Sequence, residues 1–196
     1  MKWYQPIECD NTVKNPLVCE YDDLEKYGYS VNDFKKGLLI KDWNSNVIFQ
    51  AKEKKSDGEP DDVLQNHLML PIYSSTLIYA LKEHDINGIQ YLPIKVLESS
   101  ARCIDGFCIG NLTNVIAAFD DEKSDFNRFS HDFPNPKVQG EIAGVKRFVL
   151  KKSKLIGYDI IRLKEYKQGF FVSKKFKDIF EENLFTGYSF IEVELI

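Results

Sequence analysis

The stretch VSKKFKDIFEENLFTGYSF, from Val172 to Phe190, decides how this chain folds. Its pattern predicts the end of a strand, a helix with one apolar face, and the start of another strand. A second version, YSSTLIYALKEHDINGIQY, runs from Tyr73 to Tyr91. The two align without a gap, and matched residues such as Ser74 and Ser173 lie 99 positions apart. The chain therefore carries a duplicated strand–helix–strand unit.

Each copy predicts a helix that begins at a serine. The hydroxyl of Ser74 or Ser75 in the first copy, and that of Ser173 in the second, can accept a hydrogen bond from a free backbone N–H group of the first turn. In the second copy, apolar residues recur at the spacing of one helix face, and charged residues occupy the opposite face. The apolar residues are Phe176, Ile179, Phe180 and Leu184. Gly88 and Gly187 are predicted to end the two helices, because glycine readily adopts the left-handed backbone found there.

Short runs rich in aromatic and β-branched residues predict strands around both copies. They are KWYQPI, PLVCEY, GLLI and VIFQ in the first half, and ARCI, FCIG, VKRFVLKK and YDIIRLKEY in the second. A turn is predicted at residues 44–46 and a polar loop at residues 52–60. A short helix is predicted over residues 63–69, with Asp61 or Asp62 as its N-cap.

These elements predict an α+β fold, with a mixed, mostly antiparallel sheet and few helices. The repeat predicts two related halves, residues 1–97 and residues 98–196, joined near residues 97–101. Each half contains one strand–capped helix–strand unit. One compact unit and two separable domains both remain open.

The composition is that of a folded protein, with 43% hydrophobic, 13% aromatic and 29% charged residues. No apolar run approaches the roughly 20 residues that span a bilayer, and MKWYQPIECDN lacks the apolar segment of a signal peptide. We therefore expect a cytoplasmic protein that does not bind membranes. The net charge of −4 and a pI of about 5.5, without a basic stripe, argue against nucleic-acid binding. A mildly acidic surface suits a basic partner.

Four cysteines raise the question of a metal site or a disulfide: Cys9, Cys19, Cys103 and Cys108. The Asp105-Gly106 pair predicts a hairpin turn that would set Cys103 opposite Cys108. A reducing cytoplasm would keep such a pair as two thiols. Because the spacing of Cys9 and Cys19 fits no common zinc motif, we expect neither a metal nor a cofactor.

No motif predicts catalysis, and we expect the protein not to be an enzyme. Ser74 and Ser173 lack the G-x-S-x-G context of a nucleophile and are better explained as caps. His131-Asp132 with a cysteine would supply the members of a catalytic triad, but this pair lies in a Pro- and Gly-rich loop. The acidic clusters would form a glycosidase-like pair only if folding brought them together.

Several motifs occur together in an order that resembles a known family. They are DWNSNVIFQ, DDVLQN, LPIYSSTLIYAL, FCIGNLTNVIAAFDDEKSDF and DIIRLKEYKQGFFVSKKFKDIFEENLFTGYSFIEVEL. The chain is similar, from about Asp42 to Glu194, to bacterial immunity proteins of polymorphic toxin systems, formerly a domain of unknown function. The most specific part is the C-terminal block, where a strand ending in Arg-Leu precedes Val-Ser and the capped helix.

The resemblance implies a cytoplasmic antidote that binds one cognate secreted toxin and neutralises it by occlusion, without catalytic groups. Many toxins of these systems are nucleases, and a basic active site would suit acidic clusters on this chain. The candidate toxin contacts are Asp61, Asp62, Asp120, Asp121 and Glu122. The alternative is a non-catalytic scaffold or small-ligand-binding module without a toxin partner. The oligomeric state is left open.

Overall fold

The structure is a computed structural model that describes residues 1–8, 17–52, 60–98 and 102–196, apart from the side chain of Lys52. Its α-helices are Ser75–Glu83 (α1) and Lys174–Glu182 (α2). Its strands are Trp3–Glu8 (β1), Val18–Asp22 (β2), Ile48–Lys52 (β3), Gln65–Asn66 (β4), Ile72–Ser74 (β5), Ile89–Glu98 (β6), Cys103–Leu112 (β7), Val115–Ile116 (β8), Asp125–Arg128 (β9), Ile142–Arg147 (β10), Val149–Leu150 (β11), Ile160–Leu163 (β12), Phe171–Ser173 (β13) and Tyr188–Leu195 (β14). Two helices and mixed sheets with mostly antiparallel pairs confirm the predicted α+β fold.

One six-stranded sheet has the order β4-β2-β3-β6-β7-β5. The segment leading into β4 also pairs with β5 at the opposite edge, through Val63 and Tyr73, and the Leu64 amide donates to the Ile72 carbonyl at 2.9 Å. The strands therefore close into a ring, here called the first ring. Its apolar core is one cluster that includes Cys19, Phe49, Leu64, Ile72, Leu92, Ile94, Val96, Phe107 and Ile109.

The other six-stranded sheet has the order β11-β14-β1-β13-β12-β8. Phe119, just after β8, pairs with Leu150 of β11, and the Lys151 amide donates to the Ala118 carbonyl at 2.8 Å. This sheet therefore also closes, into the second ring. β9 and β10 form a separate antiparallel pair. The core cluster of the second ring includes Trp3, Phe119, Ile142, Phe148, Leu150, Ile161, Leu163, Phe171 and Val193.

The two rings repeat one pairing scheme. In the first ring β7 lies between β5 and β6, and in the second ring β1 lies between β13 and β14. Phe107 of β7 pairs with Ile94, and Trp3 of β1 pairs with Val193, which is the matched residue of the second copy. The N-terminus thus supplies the strand that would otherwise follow β14. The duplication extends from the helical unit to the whole ring.

The two helices share a third apolar cluster with strands of both rings. Leu77 and Leu81 of α1 and Phe176 and Phe180 of α2 are fully or almost fully buried in it. Full burial of such side chains contributes about 1.5–3 kcal/mol each to folding. The cluster also contains Tyr73 and Tyr188, whose ring centroids lie 6.4 Å apart. The repeated helices therefore join the rings as well as cover them.

The predicted division at residues 97 and 98 stays a prediction, because strand pairing does not define units that fold alone. The first ring takes its strands from residues 18–112, and the second ring takes β1 together with strands from residues 115–195.

The helix ends differ from the prediction. Both helices end before the glycines, at Glu83 and Glu182. The left-handed residues that follow are Asp85, with φ 52°, and Leu184, with φ 58°. Gly88 and Gly187, with φ of 90° and 104°, come three residues later, in the turns that lead into β6 and β14. The prediction that these glycines end the helices is therefore wrong, because other residues adopt the left-handed backbone first.

Two other local predictions are wrong. Residues 63–69 form no helix, because Val63 and Leu64 pair with β5 and β4 pairs with β2. The Asn66 side chain closes the turn that follows, accepting from the Leu70 amide at 3.0 Å and donating to its carbonyl at 2.7 Å. Residues 37–40 form no strand, whereas the predicted turn at residues 44–46 is confirmed by a bond from the Val47 amide to the Asn44 carbonyl.

The predicted cysteine hairpin is also wrong. Cys103 and Cys108 lie on one continuous strand, β7, opposite Leu97 and Pro93 of β6. Asp105-Gly106 forms a β-bulge instead of a turn, with Gly106 at φ 89°, since the register shifts between Ile94 and Val96. Cys9 and most of the predicted polar loop, residues 53–59, lie outside the described residues.

Candidate functional site

Asp62 lies at the junction of the two copies. Its carboxylate accepts hydrogen bonds from the Ser74 hydroxyl at 2.8 Å, the Thr76 hydroxyl at 3.2 Å and the Thr186 amide at 3.1 Å. Ser74 caps α1, and Thr186 belongs to the turn after α2. Asp62 therefore orders the start of one helix and the exit from the other, and it is half-buried.

The other predicted contact residues differ in exposure. Asp61 is 2% exposed. Asp120 is half-buried, and its Oδ1 accepts from the amides of Glu122 at 3.2 Å and Lys123 at 3.0 Å, which closes a local turn. Asp121 and Glu122 are exposed, and Asp121 lies 3.8 Å from Arg128. Asp121 and Glu122 thus present their carboxylates at the surface, whereas Asp61, Asp62 and Asp120 are at least half-buried.

The two serines are caps, as the sequence predicts. The Ser74 hydroxyl accepts from the Leu77 amide at 3.2 Å, and the Ser173 hydroxyl accepts from the Phe176 amide at 3.3 Å. Each hydroxyl also donates to a carboxylate, which for Ser173 is Asp159 at 2.6 Å. In the part of the chain that the structure describes, no histidine bonds to either serine.

His131 and Asp132 lie in the exposed loop between β9 and β10. The Ser130 hydroxyl hydrogen-bonds to Asp132 and lowers the pKa of its carboxyl. Cys103 and Cys108 belong to the first ring, and Cys19 is fully buried there, where burial raises the pKa of its thiol to about 12. No hydrogen bond of the described residues joins a cysteine to this His-Asp pair.

A buried cation that the sequence reasoning missed lies where the rings meet. Arg162 of β12 is 3% exposed, and its Nη1 donates to the carbonyls of Lys167 at 2.7 Å and Gly169 at 3.2 Å. Burial lowers its pKa to about 10, so the guanidinium stays charged at neutral pH. Burial also raises the pKa values of the nearby phenols of Tyr73 and Tyr188. An arginine inside the apolar run DIIRL was the available signal.

An acidic surface around β2 was also missed. Its members are Glu20, Asp22, Asp23 and Glu25. His67 joins this surface to β4, with Nε2 3.2 Å from Asp22 Oδ2 and Nδ1 3.3 Å from the Cys19 carbonyl. Tyr21, in the same segment, is 66% exposed. The density of acids in CEYDDLEKY was the sequence signal for this cluster, of which Glu25 is exposed and the other three acids are half-buried.

Within the described residues, no group of three or more histidine, cysteine or acidic side chains is placed to hold a metal ion. Within the same residues, neither helix is long and apolar enough to cross a membrane. The ordered polar groups are caps, turns and bridges between the rings.

Comparison with known proteins gives the family. No curated protein matches the chain. The model of the immunity protein family Imm11 matches residues 4–195, which is almost the whole chain and includes both rings and both helices. The match begins within β1 and ends at the last residue of β14. The chain therefore belongs to the Imm11 immunity protein family.

Proposed function

We propose that this protein binds one cognate bacterial toxin in the cytoplasm and neutralises it by covering the toxin's active site. The observation that carries the proposal is the family match over residues 4–195. Neutralisation by occlusion asks for a stable surface and no catalytic group. A specific complex of this kind buries about 800 Å² on each partner.

The structure is suited to such a role because noncovalent contacts hold its two rings together. The Asp62 carboxylate accepts hydrogen bonds from both helical units, and the central apolar cluster contains residues of both helices. A preordered surface loses little conformational entropy on binding, which favours tight association.

The toxin proposed here is a nuclease with a basic active site, and acidic residues of this chain would face it. Asp121 and Glu122 are the exposed members of the predicted contacts, Asp62 and Asp120 are half-buried, and Asp61 is 2% exposed. Charge complementarity of this kind mainly raises the association rate. The effect falls with added salt, because salt screens exposed charges beyond about 10 Å at 0.1 M.

Co-purification tests the function. The native chain is co-expressed with the C-terminal domain encoded by the gene directly upstream, and we expect a stable complex and rescue of growth. An upstream product that neither binds this chain nor is neutralised by it would contradict the proposal.

Charge reversal tests the contacts. Glu122→Lys is compared with Glu182→Lys, which makes the same change in net charge on the exposed end of α2. We expect Glu122→Lys to slow association at low salt and Glu182→Lys to leave the rate nearly unchanged. Equal rates for both variants would remove this acidic cluster from the interface.

A further inference from the structure

An open groove of about 470 Å³ lies between α1 and strands β6 and β7 of the first ring. Ile78, Phe107 and Cys108 line it, together with Pro93. Tyr79 also lines it and is 64% exposed, although its hydroxyl is held by Glu83 Oε1 at 2.6 Å. The groove is therefore an accessible apolar surface beside an aromatic ring whose position is already fixed.

The second copy of the repeat shows that the fold does not require this apolar surface. There, the positions of Ile78, Tyr79 and Pro93 are occupied by charged residues, namely Lys177, Asp178 and Glu192. Each of these has a partner within the second ring. Lys177 lies over the Tyr4 ring at 5.3 Å, Asp178 pairs with Lys174 at 2.5 Å, and Glu192 pairs with Lys2 at 2.9 Å.

The central strand of each ring also carries a different side chain at the matched position. Tyr4 of β1 pairs with Val172, and Cys108 of β7 pairs with Tyr73, the matched residue of the first copy. Tyr4 is 7% exposed and lies beneath Lys177, whereas Cys108 is a small, half-buried side chain. The first copy therefore lacks the aromatic side chain that its twin holds at this position.

The charge at the rim is reversed between the copies. Lys82 and Lys95 line the groove of the first copy. Their counterparts in the second copy are Glu181, which pairs with Lys177, and Glu194, which pairs with Arg147 at 2.7 Å. Both lysines are exposed, and Lys95 donates to a neutral amide oxygen, that of Asn46, at 2.9 Å. Asp105 also lines the groove and is exposed, so the rim carries two cations and one carboxylate. Its net positive charge favours an acidic partner.

We propose that this groove is an anchor site for the toxin. It receives an aromatic or large aliphatic side chain from a toxin segment that carries a carboxylate beside that side chain. The inference rests on the proposed function and names the surface through which it acts. A few buried aromatic or aliphatic anchors, each costing 2 kcal/mol or more when removed, typically dominate such interfaces. The cationic rim selects a carboxylate-bearing segment over a basic one, because like charges across an interface are costly.

The main test moves the residues of the second copy into the first. Tyr79→Asp combined with Pro93→Glu changes two exposed side chains, so we expect the fold to be preserved, which circular dichroism checks. The matched control changes the same scaffold positions of the second copy, with Asp178→Ala combined with Glu192→Ala. The probe is the toxin domain encoded directly upstream, and Kd is measured by calorimetry. We expect Kd to rise at least about 30-fold for the groove variant, since 1.4 kcal/mol is tenfold, and to stay within about threefold for the control.

A groove variant that binds within about threefold of the native chain overturns the anchor site and leaves the proposed function standing. A native chain that binds no toxin removes both. The other possible occupant of the groove is a second copy of this chain, which sedimentation of the native chain alone tests. A dimer that Tyr79→Asp dissociates would assign the groove to that second copy and overturn the inference.

Two further measurements address the rim and the floor of the groove. Lys82→Glu combined with Lys95→Glu should weaken toxin binding, and unchanged affinity would refute the carboxylate part of the proposal. Alkylation of Cys108 should slow when the toxin is bound, because Cys108 lines the groove. Unaltered alkylation of Cys108 in the complex would place the toxin elsewhere.

Discussion

Replacing Ser173 by alanine should destabilise the protein by about 2.5–4 kcal/mol, roughly 1 kcal/mol more than the same change at Ser74. Both changes remove an N-cap acceptor, which typically costs about 1 kcal/mol. Both also remove a hydroxyl that donates to a carboxylate, at 2.6 Å for Ser173 and 2.8 Å for Ser74. Hydrogen bonds to charged groups contribute about 1.5–3 kcal/mol when they are well ordered.

The two serines differ in what their carboxylates retain. Without Ser74, Asp62 still accepts from Thr76 and from the Thr186 amide. Without Ser173, the Asp159 carboxylate keeps, among the described residues, only the ammonium of Lys175, at 3.7 Å. The Asp159 carboxylate therefore keeps fewer partners than that of Asp62, and Ser173→Ala should lower the free energy of unfolding more than Ser74→Ala.

Urea unfolding followed by fluorescence and circular dichroism measures both variants. For a chain of this length, 1 kcal/mol corresponds to a shift in Tm of about 2–4 °C. A double-mutant cycle with Asp159→Asn isolates the Ser173–Asp159 coupling, which we expect to be about 1 kcal/mol or more. Equal destabilisation by Ser74→Ala and Ser173→Ala, or a coupling near zero, would refute this reasoning. At temperatures well below the transition, both variants should still bind toxin, since neither serine is proposed to touch it.

Two further predictions concern the rings. Because one apolar cluster joins the rings, we expect both rings to unfold together in urea. In the variant Trp43→Phe, the fluorescence of Trp3 reports the second ring, and its transition should coincide with that measured by far-UV circular dichroism. Separated transitions would indicate two domains. Gly187→Ala should destabilise the protein more than Gly88→Ala, because a Cβ at Gly187 would lie 2.5 Å from the Val63 backbone carbonyl, whereas one at Gly88 would meet a side chain that can move. Thermal melts give the Tm of each variant. A lower Tm for Gly88→Ala than for Gly187→Ala would contradict the argument that the Val63 carbonyl cannot move away from the added Cβ.

The helical units were predictable because their signals are local. A cap, an apolar face and a turn lie within 20 residues, and the same signals occur twice. The error at residues 63–69 has the same origin. Among the described residues, Asp62 is the N-cap of no helix, and its carboxylate instead accepts from Ser74 and Thr186, 12 and 124 residues further along the chain. A local pattern could not reveal which helix it orders.

The strand order of the second ring depends on long-range pairing that no local pattern contains. Trp3 pairs with Val193, across nearly the whole chain. The Asp105-Gly106 pair shows the same limit, because an Asp-Gly step suits a hairpin and a bulge equally well. The partner strand decides between them, and here β6 runs past the step without turning.

Comparison of matched residues in the two copies distinguishes the positions that folding requires to be apolar from those at which it accepts different residue types. Inward positions stay apolar in both copies, as Leu77 and Phe176 do, and both are fully buried. Outward positions do not follow this rule: the first copy presents Tyr79 where the second presents an aspartate, and Lys82 where the second presents a glutamate. Since one scaffold accepts both sets, folding cannot be what fixes either. The charged outward residues of the second copy form ion pairs within the second ring, whereas those of the first copy border an exposed apolar groove with Lys82 and Lys95 at its rim. A surface whose residues folding does not fix, and that none of the described residues covers, is where a partner can determine the residues.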